Sequence, residues 1–130
     1  MGGAIPESLV DTPLDFDELA KLGAAIGAGS MLVLDEDYRM VDIVRYFLDF
    51  LSEESCGKCV PCREGIRQLL KVVTRVSEGR GRKGDLELME ELAEVAGVAS
   101  LCALGKTASD PLLSSLRHFR GEYEGLIRQP

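Results

Sequence analysis

Residues 54–77 read ESCGKCVPCREGIRQLLKVVTRVS, and this stretch decides the fold. Its first half is a C-x2-C-x2-C motif at Cys56, Cys59 and Cys62. Its second half predicts an amphipathic helix from about Arg63 to Ser77, with Ile66, Leu69, Leu70, Val73 and Val76 recurring on one face. The glycine-rich, basic Gly79-Arg80-Gly81 stops that helix. Crowded cysteines joined directly to a helical period point to a helical scaffold presenting metal ligands.

The same period extends outward in both directions. Upstream, Met40, Val41, Ile43, Val44, Phe47, Leu48 and Leu51 recur at three- and four-residue spacing, with Asp35, Glu36 and Asp37 at the end that suits a helix dipole. Downstream, Asp85 is placed to cap a third helix that buries Leu86, Met89, Leu92, Ala93 and Ala96 and ends at Gly97. Asp110 is placed to cap a fourth, with Pro111 at its first position, where a missing N–H costs nothing. Its face is Leu112, Leu113, Leu116, Phe119, Tyr123 and Leu126. Four amphipathic helices with short connections predict a mainly α fold, a four-helix bundle over residues 36–130.

Residues 1–35 read differently. Thr12-Pro13 suggests a turn or helix entry, Asp15–Leu22 a short helix, and Gly23, Gly27 and Gly29 a break. Ser30–Leu34 (SMLVL) reads as a short buried strand, and one strand cannot satisfy its own edges. The expectation is therefore an α/β tail whose other strands lie elsewhere, with Met1-Gly2-Gly3 an artificial or truncated start. Such a tail is poorly tied down unless partner strands cover it.

Composition narrows the function. The chain has 130 residues, 45% hydrophobic and only 5% aromatic, which suits one helical domain with an aliphatic core. A net charge of −7 argues against nucleic acid and anionic membrane surfaces as partners. No apolar run reaches the ~18–20 residues of a membrane span. The first residues lack the basic start and long apolar run of a secretory signal, so a cytoplasmic-type reducing compartment is expected. Met31, Met40 and Met89 are most simply core, His118 a packed or surface histidine, and Glu87, Glu90, Glu91 and Glu94 a solvated flank. No Ser-His-Asp set, phosphate loop or dinucleotide fingerprint is present in the sequence.

The fourth cysteine, Cys102, lies 40 positions beyond Cys62, in SLCALG. Zinc favours paired knuckles, two plus two, because one ion has four closely placed sites. A four-iron cubane needs one thiolate at each of four separate corners, and three-plus-one spacing fits it better. Disulfides suit the spacing poorly, and a thioredoxin-like C-x-x-C would want a preceding strand and no third cysteine. Gly57 lets the backbone approach inorganic sulfur, and Pro61 stiffens the turn. Lys58, Arg63, Arg67 and Lys106 lie beside the ligands in sequence; cations there favour the more negative reduced state and raise the potential. For Arg67 a solvated face is as good a reading.

ESCGKCVPCREG, then SLCALGKTASDPLLSSLRHF and EYE, closely resembles the C-terminal part of the NADH-oxidising flavoprotein subunit of respiratory complex I. The stretch is similar, too, to the module of NAD(P)-linked iron-hydrogenases and NAD-dependent formate dehydrogenases. Residues 2–36 are similar to the stretch that joins this family's ubiquitin-like (β-grasp) domain to its helical bundle, so residues 1–35 would be the tail of that domain or a linker. The resemblance implies that Cys56, Cys59, Cys62 and Cys102 hold one 4Fe–4S cluster. It implies a relay from a flavin mononucleotide reduced by NADH to a cluster in a neighbouring subunit. The family's glycine-rich nucleotide loop has no match here. FMN and NADH are therefore expected only through a domain supplied by another chain or by the rest of a longer one. The rival reading is a helical domain stapled by metal that serves mainly in subunit docking.

Overall fold

The three-to-four-residue apolar period becomes helix almost throughout. The computed structural model describes residues 2–27 and 29–127. Met1 of the expected artificial start and residues 128–130 of the expected bundle lie outside them. After a 3-10 turn at Glu7–Leu9 come α1 (Phe16–Lys21), α2 (Met40–Glu54), α3 (Val60–Ser77), α4 (Asp85–Ala99), α5 (Ala103–Thr107) and α6 (Asp110–Gly125). The structure is mainly helical. The four long helices close on one another: α2 on α3, α3 on α4, and α6 against both α2 and α4.

Their shared core is aliphatic. It holds Val41, Val44, Leu48 and Leu51 from α2, Cys62, Ile66, Leu69, Val73 and Val76 from α3, Leu86, Met89 and Ala93 from α4, and Leu112, Leu116 and Tyr123 from α6. Burying each large aliphatic side chain contributes roughly 1.5–3 kcal/mol. Among the described residues Tyr123 is the one aromatic ring fully inside, and its hydroxyl pairs with Ser115 Oγ at 2.7 Å. Burial pushes its phenol well above the usual range, so it stays neutral. Leu113 faces outward instead of joining the core, and Leu70, Leu92 and Leu126 are only partly buried.

Helix ends depart most from expectation. Asp15 caps α1 by accepting from the Asp17 and Glu18 amides. Asp35 closes its own turn onto the Asp37 amide, and the start of α2 is capped from a distance. Glu122 of α6 accepts from the Met40 and Val41 amides at 3.0 and 2.9 Å. Glu122→Ala is therefore expected to lower stability by about 1–2 kcal/mol, the cost of losing a helix cap, read as an earlier urea midpoint. Helix α3 begins at Val60 instead of at about Arg63, preceded by Cys59, so Pro61 and Cys62 lie in its first turn. Asp85 is not a cap: Gly84, at φ 90°, precedes α4, and Asp85 is its first residue. The Asp85 carboxylate turns back to the Arg82 amide and to Arg75. Helix α4 continues past Gly97 to Ala99, and α6 begins after Ser109 with no side-chain cap from Asp110.

Among the described residues no strand forms at 30–34, and Met31, Leu32 and Val33 stand exposed. The expected buried strand and the expected core role of Met31 both fail here for one reason: the described residues offer no second strand for the segment to pair with. Residues before it are nonetheless tied down. The Ala4 amide donates to Ser114 Oγ at 2.8 Å, and His118 Nε2 donates to the Leu22 carbonyl at 3.1 Å. A Cβ on Gly3 would fall 2.8 Å from Ser114 Oγ, so glycine permits this close approach. The N-terminal segment thus docks along α6. No helix among the described residues is long and apolar enough to cross a membrane.

Candidate metal centre

All four cysteines are free thiols at or near helix starts. Cys59 immediately precedes α3, Cys62 lies in its first turn, and Cys102 immediately precedes α5. Cys62 is buried, Cys59 half-buried, and Cys56 and Cys102 exposed. Two segments distant in sequence meet here. The backbone amides of Leu101 and Cys62, with help from the Ser100 hydroxyl, hold the Cys59 thiol below its usual range against the opposing effect of burial. Gly105 of α5 lies so close that a Cβ on it would fall 2.5 Å from Ser100 Cβ and Oγ and 3.0 Å from Cys62 Cβ. Ser100 is buried, and its Oγ forms no regular hydrogen bond.

The turn between α2 and α3 is held through both backbone groups of one residue. Gly57, at φ 71°, donates its amide to Ser55 Oγ at 3.3 Å. Its carbonyl accepts from Arg63 Nη1 at 2.6 Å. Ser55 Oγ also lies 3.3 Å from Cys62 Sγ. Positive φ explains the glycine, because other residues adopt that conformation only with strain. Among the described residues, no three His, Cys, Asp or Glu side chains gather as the ligands of a single metal ion. A cubane asks for something else: thiolates spaced around a larger body, one at each corner. Four free thiolate sources on two facing segments, lined by amide and hydroxyl donors, fit such a group.

A sequence profile of the family described as "NADH-ubiquinone oxidoreductase-F iron-sulfur binding region" matches residues 42–126, a span that includes all four cysteines. The chain belongs to this family. Among relatives of this iron–sulfur binding region, the NADP-reducing hydrogenase subunit HndC of Solidesulfovibrio fructosivorans is 40% identical over 97% of this chain and 26% of its own length. The F subunit of the NADH-quinone oxidoreductase of Escherichia coli (strain K12) is 35% identical over 99% of this chain and 30% of its own. In the crystal structure of an NAD+-reducing [NiFe]-hydrogenase in the air-oxidized state, 98% of this chain matches 22% of one chain, at a TM-score of 0.85 and 30% identity. The chain thus spans less than a third of the length of each.

Within this member of the oxidoreductase-F iron–sulfur family, the cations sort by position. Arg63 is built into the cysteine turn through Gly57 and is steadied by Glu64 at 3.0 Å. Lys58 and Lys106 are exposed, on the cysteine turn and the last turn of α5 respectively. Arg67 points to Glu64 at 3.7 Å and is mostly exposed, in keeping with a solvated face. His118 lies on α6, engaged with Leu22, and Glu90 of the acidic flank pairs with Arg120 at 2.7 Å. Sequence reasoning missed Ser55, Ser100 and the tight Gly105. The signal for the first two was only a serine directly before Cys56 and another two positions before Cys102.

Proposed function

We propose that this chain is the electron-transfer module of an NAD(P)H-oxidising complex, with Cys56, Cys59, Cys62 and Cys102 holding one 4Fe–4S cluster. In this reading the chain lies between a flavin mononucleotide site and the iron–sulfur clusters of a neighbouring subunit. FMN and NADH are bound by a domain outside residues 1–130, on another chain or a longer one. Residues 36–130 form the cluster-bearing four-helix bundle, and residues 1–35 are the tail of a β-grasp domain whose other strands would pair with Ser30–Leu34. The complex works on the reducing, cytoplasmic side.

The observation that carries the reading is the meeting of segments 55–62 and 100–105, through the Leu101 amide on Cys59 and the close packing of Gly105 on Cys62. When bound, a cubane supplies one-electron transfer without proton chemistry. The protein's part is placement. The start of α3 presents Cys59 and Cys62 from a rigid helix, whose partial positive charge favours thiolates. Arg63 fixes the Gly57 peptide, and Lys58 and Lys106 add positive charge nearby, which raises electron affinity.

The test is anaerobic purification of the chain, with iron, sulfide and electron paramagnetic resonance before and after dithionite. The expected result is about four irons per chain, as a cubane requires, and a reduced-state cubane signal lost in Cys102→Ala. Stoichiometric zinc with no iron and no signal would overturn the relay and leave a metal-stapled docking domain.

A further inference from the structure

We propose that Ser55 tunes the centre by donating its hydroxyl hydrogen to the Cys62 sulfur, which raises the centre's electron affinity; this rests on the cluster reading above. Ser55 Oγ lies 3.3 Å from Cys62 Sγ, a separation at which either atom can be the donor. Two facts fix the direction. The Gly57 amide already donates to Ser55 Oγ at 3.3 Å, so the oxygen is an acceptor there and its own hydrogen is free. A ligating cysteine has lost its S–H, so Cys62 can only accept.

The geometry is held rather than incidental. Gly57, whose amide meets Ser55, is also held at its carbonyl by Arg63 at 2.6 Å, and Arg63 is steadied by Glu64. Cys62 is 4% exposed, so water does not replace the hydroxyl at its sulfur. A hydrogen bond to a charged acceptor strengthens as negative charge on that acceptor grows. The reduced state carries one more negative charge than the oxidised state, so the Ser55 bond favours it. No bond forms or breaks at Ser55 and no proton leaves it. Its role is to position a dipole.

The experiment uses the full chain, purified and loaded without oxygen, titrated electrochemically with electron paramagnetic resonance as the readout. Resonance Raman of the iron–thiolate stretch is recorded alongside. Ser55→Ala is expected to keep its iron and sulfide while its midpoint becomes more negative. The reduction equilibrium should shift by up to about tenfold, about 59 mV for one electron. Ser55→Thr, which keeps the hydroxyl, is expected to restore the midpoint and the stretch frequency. An unchanged midpoint in iron-replete Ser55→Ala would overturn the proposal and leave the cluster reading standing. If Ser55→Ala sheds iron, Ser55→Thr and Ser55→Val are compared, since they share a shape and differ by the hydroxyl. A lower midpoint for Ser55→Val supports the proposal, and equal midpoints overturn it. Failure of the unsubstituted chain to hold iron under the same handling sinks the cluster reading itself, and this inference with it.

Discussion

Asp85→Ala is expected to destabilise the fold by about 3 kcal/mol, the lower end of the cost of stripping one partner from a buried ion pair. Asp85 is 5% exposed, and it receives both arms of Arg75 at 3.0 and 2.6 Å and the Arg82 amide at 2.8 Å. Removing it leaves a guanidinium between α3 and α4 with no counter-charge. The lower end applies because Arg75 keeps a quarter of its side chain in water. The pH dependence has a definite sign. Burial alone would push the Asp85 carboxyl up, but the Arg75 and Arg82 hydrogen bonds and charges outweigh it and hold the pKa below its ordinary 3.8. A depressed carboxylate contributes stability above its unfolded pKa and loses it as pH falls through the folded value. Urea midpoints of wild type and Asp85→Ala should therefore differ by a constant amount above pH 3.8 and converge progressively below it. A gap that persists unchanged in strong acid would show that the ion pair is not its source.

Gly105→Ala is expected to cost both stability and iron, although alanine is the better helix former. In an open helix the change would gain about 1 kcal/mol. Here the new Cβ would meet Ser100 at 2.5 Å and Cys62 at 3.0 Å, and neither contact is the loose end of a flexible side chain. Overpacking of this kind costs about 1–3 kcal/mol, so it exceeds the propensity gain. The strain is relieved by moving α5, and Cys102 with it, away from Cys62. Iron per chain should fall in parallel with the urea midpoint. Gly97→Ala is the contrast. Its Cβ would sit 3.5 Å from the Lys106 carbonyl, an ordinary contact, so there the helix propensity decides and the midpoint should rise. Equal behaviour of the two variants would show that the packing of α5 is not what holds the segment.

The helical faces were legible because burial imposes the period directly. Val44, Leu48, Ile66, Leu69, Val73, Met89 and Leu112 all read as inward from spacing and all are buried. Helix ends were less legible because they are settled by tertiary partners. Nothing near Met40 announces that a carboxylate 82 positions later caps α2. Helix α5 has only five residues, too short for a period to show. The SMLVL run is apolar enough to look buried, but burial needs a covering surface, and a local pattern carries no information about one. At the site, cysteine spacing announced itself, since few chemistries place four thiols that way. Ser55 did not, because serine before a cysteine is ordinary until the fold brings its oxygen to a sulfur seven positions on.

Helix α6 gathers contacts from nearly every other part of the chain. Ser114 takes the Ala4 amide, His118 holds Leu22, Arg120 reaches Glu90 and Glu122 caps α2, while just past the helix end Ile127 bridges to Gly81. These closures span long loops, so each is entropically unfavourable by itself and all become favourable together once the helix is seated. The domain therefore has little means of coming apart in stages. Lifting α6 frees the N-terminal segment and uncaps α2 in one event, and α2 leads straight into the cysteine turn. The integrity of the cysteine-bearing end is in this way secured by a helix that carries none of the four cysteines.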